Sequence, residues 1–598
     1  MKTKVLLIAM ASIAMAGQAQ NVIRVNQIGY LPEDIKAAVY MGDKEAKDLK
    51  FELTLPSAAT VAVDSVVAYN AWAPFKASAR VYFTSATTQG VYTLTAKNAK
   101  TGKVVDKAEF YIGDDAYSRY SVNELPLHYL RQQRCGYNPI HEANCHVHDG
   151  YVVLSDSLEG VHFDVTGGWH DASDYLQYLP TSAHTVFQLL FAYREAPEVW
   201  ADEYDARGHK GANGIPDILD EARWGLEWMQ KMNPRDGIYF NQIADDRDHR
   251  YAGVPQKDNV DYGWGEGGAR PVYPVCGKPY GLSKYRNRSN GEASSVAKFA
   301  SSFALGSSVF ADIDAAFAAD LAARAEKAFE YALAHPGAAQ TASTVSPYFY
   351  EEDNWVDDVE LAAAALYRLN GKDSDFAKAR AFGSAERYTP WMGADTANHY
   401  QWYPFINIGH YEASVGDKKG EFASYYREGL SRVAARGADN VYLFGVPFVW
   451  CSNNFTTALV MQAMLYREMT GDDSFVELET SARDWLFGVN PWGQTMIVMP
   501  NGMVKSSPQD CHSAMSNLMI GDRPGRDFLI GGLVDGPVYT NIFNSLQGVT
   551  LRHEDRFAPF QNPLVVYHDD YSDYSTNEPT MDGTAALSYM LARLCRKK

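Results

Sequence analysis

The chain has 598 residues, a formal net charge of −19 and 13% aromatic side chains, with 38 Tyr and 12 Trp. That length exceeds one ordinary core, so two or more domains are expected. The acidic balance argues against nucleic acid or an anionic membrane surface as partner, whereas a neutral polymer such as a polysaccharide is compatible with it and with an aromatic-lined cleft.

Residues 1–19 read as a signal peptide. Lys2 and Lys4 precede the apolar run Val5 to Ala16, and Gly17-Gln18-Ala19 is an acceptable cleavage site. The run is too short to span a bilayer, no cysteine follows it to carry a lipid anchor, and no later segment reads as transmembrane. The expectation is an exported protein, periplasmic or extracellular.

Residues 20–115 are expected to be all-β. Short runs such as Ala37–Met41, Thr60–Val63, Arg80–Thr84 and Val91–Leu94 alternate or are β-branched, with Gly, Pro, Asn and Asp between them. About seven strands in roughly 90 residues is the size of an immunoglobulin-like sandwich, read here as a packing spacer without catalytic role.

From 116 to 598 the pattern turns helical. Pro216 to Met229 reads as a Pro-initiated helix with acids in its first turn and apolar residues at helical spacing. Further helices are expected near 125–133, 184–194, 293–309, 318–334, 358–369, 420–435, 455–468, 475–487 and 584–594. Leu366–Gly371 and Leu465–Gly471 echo each other, each placing Gly at a left-handed C-cap. Ten to twelve helices with short returns suggest αα-hairpins arranged as a six-hairpin toroid.

The segment Gly167-Gly168-Trp169-His170-Asp171-Ala172-Ser173-Asp174-Tyr175 sets two carboxylates three residues apart beside a histidine and two aromatics. Paired Asp suits deprotonation of a water, and flanking rings suit sugar faces; a capping or cation-binding loop is the plainer alternative. Near the C-terminus, Tyr567-His568-Asp569-Asp570-Tyr571-Ser572-Asp573-Tyr574-Ser575-Thr576-Asn577-Glu578 forms a second acidic segment. Together the two closely resemble the active-site motifs of family 9 glycoside hydrolases, with Tyr567, Asp569, Tyr574 and Glu578 in register and Asp171-Ala172-Ser173-Asp174 standing for the usual Asp-Ala-Gly-Asp. Ile23 to Pro32 resembles the start of the Ig-like domain that precedes many such catalytic modules.

The resemblance implies an (α/α)6 barrel and an inverting mechanism, in which acid and base carboxyls stand roughly 6.5–9.5 Å apart. Glu578 would protonate the leaving oxygen, Asp174 would deprotonate the water, and Asp171 would hold that water's other side. Tyr571, Tyr574 and Pro579 are expected to desolvate Glu578 and raise its pKa. Two departures bear on substrate choice. His512 can fill the His of the family's His-x-Arg, but Ala514 stands where Arg is usual, and Thr584 stands where Asn is usual.

Cys135, Cys145, His146 and His170 are two thiolates and two imidazoles, the usual set for a closed tetrahedral zinc. The spacing is not that of a standard finger, His141 or His148 can replace His146, and a Cys135–Cys145 disulfide or buried free thiols remain alternatives. Some family 9 enzymes carry such a zinc, with its last His directly before the first catalytic Asp, as in His170-Asp171. The resemblance also implies calcium at Asp357, Asp358 and Glu360, although Tyr403 follows Trp402 where a family Asp is expected. Cys276, Cys451, Cys511 and Cys595 read as core.

Trp169, Tyr175, Trp402, Trp492 and Tyr571 are the expected substrate aromatics beside His512, with Trp264, Tyr403 and Trp450 as further candidates. The reading is a monomeric, inverting β-1,4-glucan hydrolase acting on cellulosic, mixed-linkage or xyloglucan-type polymer. Its rivals are an exo-acting β-glucosidase on short oligosaccharides, a polysaccharide lyase, and a glycan-binding protein without turnover. Product lengths, an ultraviolet-absorbing product and tolerance of Glu578 loss separate them.

Overall fold

Eight strands open the folded chain: β1 (Val22–Arg24), β2 (Ala37–Gly42), β3 (Leu49–Thr54), β4 (Thr60–Ala62), β5 (Ser65–Tyr69), β6 (Ala77–Tyr82), β7 (Gly90–Asn98) and β8 (Val104–Ile112). They build two antiparallel four-stranded sheets, β1-β2-β6-β5 and β4-β3-β7-β8. Alternation does the sorting, since Leu49, Phe51 and Leu53 of β3 and Tyr92, Leu94 and Ala96 of β7 all turn inward. Tyr30 meets Phe83 and Phe110 edge-on, each at 5.4 Å between centroids. This is the expected sandwich. The computed structural model describes residues 21–596 except 282, 283, 285, 346–349, 394–402 and 404, so the leader at residues 1–19 lies outside the described residues.

Fourteen α-helices follow among the described residues; apart from the short Pro390–Gly393 and Thr540–Ser545 they are, numbered here in chain order, α1 (Leu125–Gln133), α2 (Leu179–Glu195), α3 (Asp217–Met232), α4 (Ala293–Phe310), α5 (Ala315–Ala334), α6 (Val356–Asn370), α7 (Asp373–Ala385), α8 (Gly409–Ser414), α9 (Glu421–Gly437), α10 (Ser452–Thr470), α11 (Val476–Leu486) and α12 (Met581–Cys595). The even-numbered helices pack α2–α4–α6–α8–α10–α12 and back to α2, a closed inner ring. The odd-numbered helices lie outside, each against an inner neighbour. Sequence pattern explains the division. Inner α2, α4, α10 and α12 are buried almost all round, whereas outer α3, α5 and α9 bury one stripe. Gly371 (φ +70) and Gly471 (φ +67) end α6 and α10 in the left-handed conformation read from the sequence.

Periodicity missed α7 and α8. Outer α7 buries little, and α8 is only six residues long, so neither has a strong apolar repeat.

The sandwich is fastened to the ring by polar contacts. Asn26 Nδ2 donates to Asp484 Oδ1 (2.8 Å), Arg483 pairs with Asp34 (3.0 Å), and Arg24 donates to the Pro491 carbonyl (2.7 Å). Among the described residues no helix is long and apolar enough to cross a membrane.

Candidate active site

The Asp171–Asp174 segment runs into α2 and Glu578 lies three residues before α12, and these two inner helices are neighbours where the ring closes. Ring closure therefore joins motifs from opposite ends of the helical region. The Ser173 N–H donates to Glu578 Oε1 (3.0 Å), and the Met581 N–H to the Asp171 carbonyl (2.9 Å).

The first motif is held from beneath. Gly168 has φ +69, and a Cβ there would lie 2.7 Å from the Trp228 ring, so only glycine fits. Its carbonyl accepts from the Cys135 N–H (2.9 Å) and the Trp224 indole (2.8 Å), while Gln133 at the end of α1 bonds to His170 N–H (2.8 Å) and the Ala172 carbonyl (2.6 Å).

Asp171 is buried and accepts from the Thr181 hydroxyl (2.6 Å) and the Tyr350 hydroxyl (3.0 Å). Burial, then repulsion from Asp174 and Asp582, lifts its carboxyl well above the ordinary range despite those donors. Asp174 Oδ2 lies 3.4 Å from His249 Nε2. Burial would lower that imidazole, but the bond to Asp174 and the fields of Asp174 and Asp248 override it and raise it to about 9. A cation thus faces Asp174 at neutral pH. Glu578 is raised chiefly by burial, with Asp174 adding to the rise and His512 opposing it.

The wall beside Glu578 consists of Trp450, Tyr574, His512 and Tyr571. Trp450 and Tyr574 centroids are 5.5 Å apart, and His512 lies 5.8 Å from Tyr574 and 5.3 Å from Tyr571. His512 Nδ1 donates to the Tyr571 carbonyl (2.5 Å). The Trp450 indole donates to buried Asp535 (2.8 Å), which follows the strand Leu533–Val534 paired with Pro579–Thr580 and whose N–H donates to the Glu578 carbonyl (2.9 Å). Asp569 accepts from the Gln509 and Asp510 N–H groups and from Asn577, tying the His512 segment to the Glu578 segment.

Several expected substrate aromatics are packing residues. Trp169 is fully buried with its indole on Glu221 Oε1 (2.8 Å), and Trp492 is buried edge-on to Trp485 with its indole on Gln561. Tyr175 is buried between His170, His146 and Tyr251, with its hydroxyl on the Gly253 carbonyl. A ring enclosed in this way cannot stack on sugar. Tyr403 is likewise buried, and Trp402 lies outside the described residues. Tyr571 is half-buried in the wall and Trp264 is exposed, stacked on Tyr151 (5.1 Å). Thr584 is spent on backbone, accepting from Leu533 N–H (2.9 Å) and donating to the Thr580 carbonyl (2.6 Å). Ala514 opens a short 3-10 helix after His512.

His249, Tyr350, Thr181 and Asp535 escaped the sequence reading. The run Asp245-Asp246-Arg247-Asp248-His249-Arg250 is dense enough in titratable groups to have flagged His249. The other three carry no local signature.

Cys135, Cys145, His146 and His170 converge, their ligand atoms all within 4.8 Å of one another. Cys135 directly follows Arg134, the C-cap of α1, and the hairpin β9 (Gly136–Asn138)/β10 (Ala143–Cys145) pairs Cys145 with Gly136, returning the second thiol beside the first. His146 Nδ1 lies 3.6 Å from Cys135 Sγ and 3.4 Å from His170 Nε2, and His170 Nε2 is 3.8 Å from Cys145 Sγ. A tetrahedral zinc needs ligand atoms about 3.4–3.8 Å apart, so the set fits. Both cysteines are free thiols, and His146 rather than His141 or His148 completes the group. His146 Nε2 meets Asp258 Oδ2 (3.0 Å), the carboxylate partner metal-binding histidines ordinarily have.

At the expected calcium residues, Lys298 pairs with Asp358 (2.7 Å) and Glu352 (2.5 Å) and His410 takes one Glu360 oxygen (2.6 Å), while both Asp357 oxygens and Glu360 Oε2 have no hydrogen-bond partner among the described residues. Of the four cysteines read as core, Cys451, Cys511 and Cys595 are buried and Cys276 is half-buried.

Comparison with known proteins gives a family match. The model for glycosyl hydrolase family 9 matches residues 121–591, and that for the cellulase N-terminal Ig-like domain matches residues 18–101. Endoglucanase C of Cellulomonas fimi is 27% identical over 95% of this chain, which spans about half (51%) of that relative's length. The xyloglucan-specific endo-beta-1,4-glucanase BoGH9A of Bacteroides ovatus is 22% identical over 96% of this chain and 93% of its own. A Zn-binding triple mutant of the family 9 endoglucanase J30 shares the fold with a TM-score of 0.71 at 23% identity, covering 95% of this chain and 100% of that one.

Proposed function

Because this chain belongs to glycosyl hydrolase family 9, we propose that it hydrolyses β-1,4-glucosidic bonds in a β-glucan with inversion, Glu578 acting as general acid and Asp174 as general base. The observation that carries the assignment is the Ser173 N–H bond to Glu578, which holds acid and base segments on one site. Burial raises the Glu578 carboxyl above the ordinary carboxylate range, the direction a general acid needs. That carboxyl delivers its proton to the leaving glycosidic oxygen. Asp174, which faces the His249 imidazolium, takes a proton from the attacking water. Asp171, fixed by Thr181 and Tyr350, orients that water. Water adds to the anomeric carbon on the face opposite the departing sugar, giving inversion.

Zinc is the metal this reading assigns to Cys135, Cys145, His146 and His170, where it would brace the loop that carries Asp171 without taking part in the reaction. The substrate is read as a cellulosic, mixed-linkage or xyloglucan-type polymer, consistent with the two endoglucanase relatives. A polymer of this kind lies outside the cytoplasm, in keeping with the leader expected at residues 1–19. Proton NMR of the first-formed products tests the reaction: α-anomers appearing first from a β-glucan support it, and β-anomers appearing first refute the acid–base pairing.

A further inference from the structure

Arg552 has no part in the chemistry above, yet it stands against the same wall. Its guanidinium carbon lies 3.6 Å from the centre of the Tyr571 ring, a planar cation laid on an aromatic face. Its N–H and that of His553 donate to Asp570 Oδ2 (2.9 and 3.0 Å). His553 Nε2 lies 3.7 Å from Asp510 Oδ2, which in turn accepts from the Tyr571 N–H (3.1 Å). The Arg552 segment is therefore pinned to both segments that build the His512–Tyr571 side of the site.

Among the described residues no carboxylate pairs with that guanidinium, although the chain holds 73 Asp and Glu. Arg556 nearby shows the ordinary fate of such a group, spent on Asp569 and Gln494. An arginine positioned by stacking and by its own backbone keeps its five-donor fork free. Such a fork matches two adjacent sugar hydroxyls, and its stem is already ordered before substrate arrives.

We propose that Arg552, held on Tyr571, is a substrate-binding residue that donates to vicinal hydroxyls of the glucan next to His512. The inference rests on the glucan-hydrolase reading, and its test separates the two. Cellohexaose binding to the inactive Glu578→Gln protein is measured by titration calorimetry with and without Arg552→Ala. Turnover of soluble β-glucan is followed for wild type, Arg552→Ala and Arg552→Lys. Removal of the arginine is expected to weaken binding roughly 10-fold or more, raising KM and changing kcat far less, with lysine recovering only part. Unchanged melting temperatures confirm that the fold is intact. Affinity and KM within two-fold of the parent overturn the inference, and so does an absence of oligosaccharide binding by the Glu578→Gln protein. If wild type releases no product while binding still depends on Arg552, the hydrolase reading falls and the binding role stands.

Discussion

The Ser173 N–H donates to Glu578 Oε1 across 405 residues of sequence. The donor is main chain, so serine in place of the family's usual glycine leaves the bond intact. The same bond makes the placement of Glu578 depend on the loop that carries Asp174, and through that loop on Gly168 and the thiol–imidazole group behind it.

Glu578→Gln should cut kcat by about 10³-fold or more, since general acid catalysis supplies 10²–10⁴-fold. It should also stabilise the protein at alkaline pH. The raised Glu578 holds more protons folded than unfolded, so its contribution falls as pH rises through its folded pKa. Melting temperatures of the variant and wild type should therefore diverge as pH rises above the ordinary glutamate range, with the variant gaining.

His512→Ala should move the alkaline limb of the pH–rate profile upward. The imidazole lowers the Glu578 pKa against the effect of burial, so its loss leaves the acid protonated to higher pH. KM should rise at the same time. A limb that moves down shows that His512 acts otherwise.

His249→Gln should slow turnover by at least 10-fold and leave the fold intact. The raised imidazole faces Asp174 as a cation, so its neutral replacement costs the base its counter-charge. In wild type the same contact should weaken as pH rises through about 9. Steady-state kinetics with circular dichroism as the fold control checks both statements.

Purified protein should carry one zinc per chain, and Asp258→Asn should lower metal affinity roughly 10- to 100-fold by releasing His146 Nε2. Competition with a chromophoric chelator reads this directly. Metal removal should lower the melting temperature and kcat together, because His170 adjoins Asp171. Metal-free protein with full activity contradicts the bracing role.

Much of this was legible in the chain because the two motifs are local. Asp171, Asp174 and Glu578 sit within two local motifs, and the inner helices announce themselves by their scarcity of charged residues. The four metal-type ligands could be named, though their spacing left a disulfide as an alternative until the fold showed both cysteines free and all four ligand atoms within 4.8 Å of one another. What stayed illegible depends on distant packing. Trp169 and Trp492 look like sugar platforms in sequence, and only Glu221, Trp485 and Gln561 reveal them as core. His249 and Tyr350 reach the Asp pair from loops with no shared spacing. Closure of the ring through α2 and α12 cannot be read from periodicity, since amphipathic helices of the same kind also stack in open arrays.

The most direct test of the central claim is time-resolved product analysis on xyloglucan, mixed-linkage glucan and cello-oligosaccharides, with wild type and Glu578→Gln side by side. The account predicts that wild type cuts at least one of these β-glucans and that the glutamine variant, folded and binding the same polymer, releases essentially nothing. Cleavage that survives the substitution, or a wild type inert on every β-glucan tested, contradicts it.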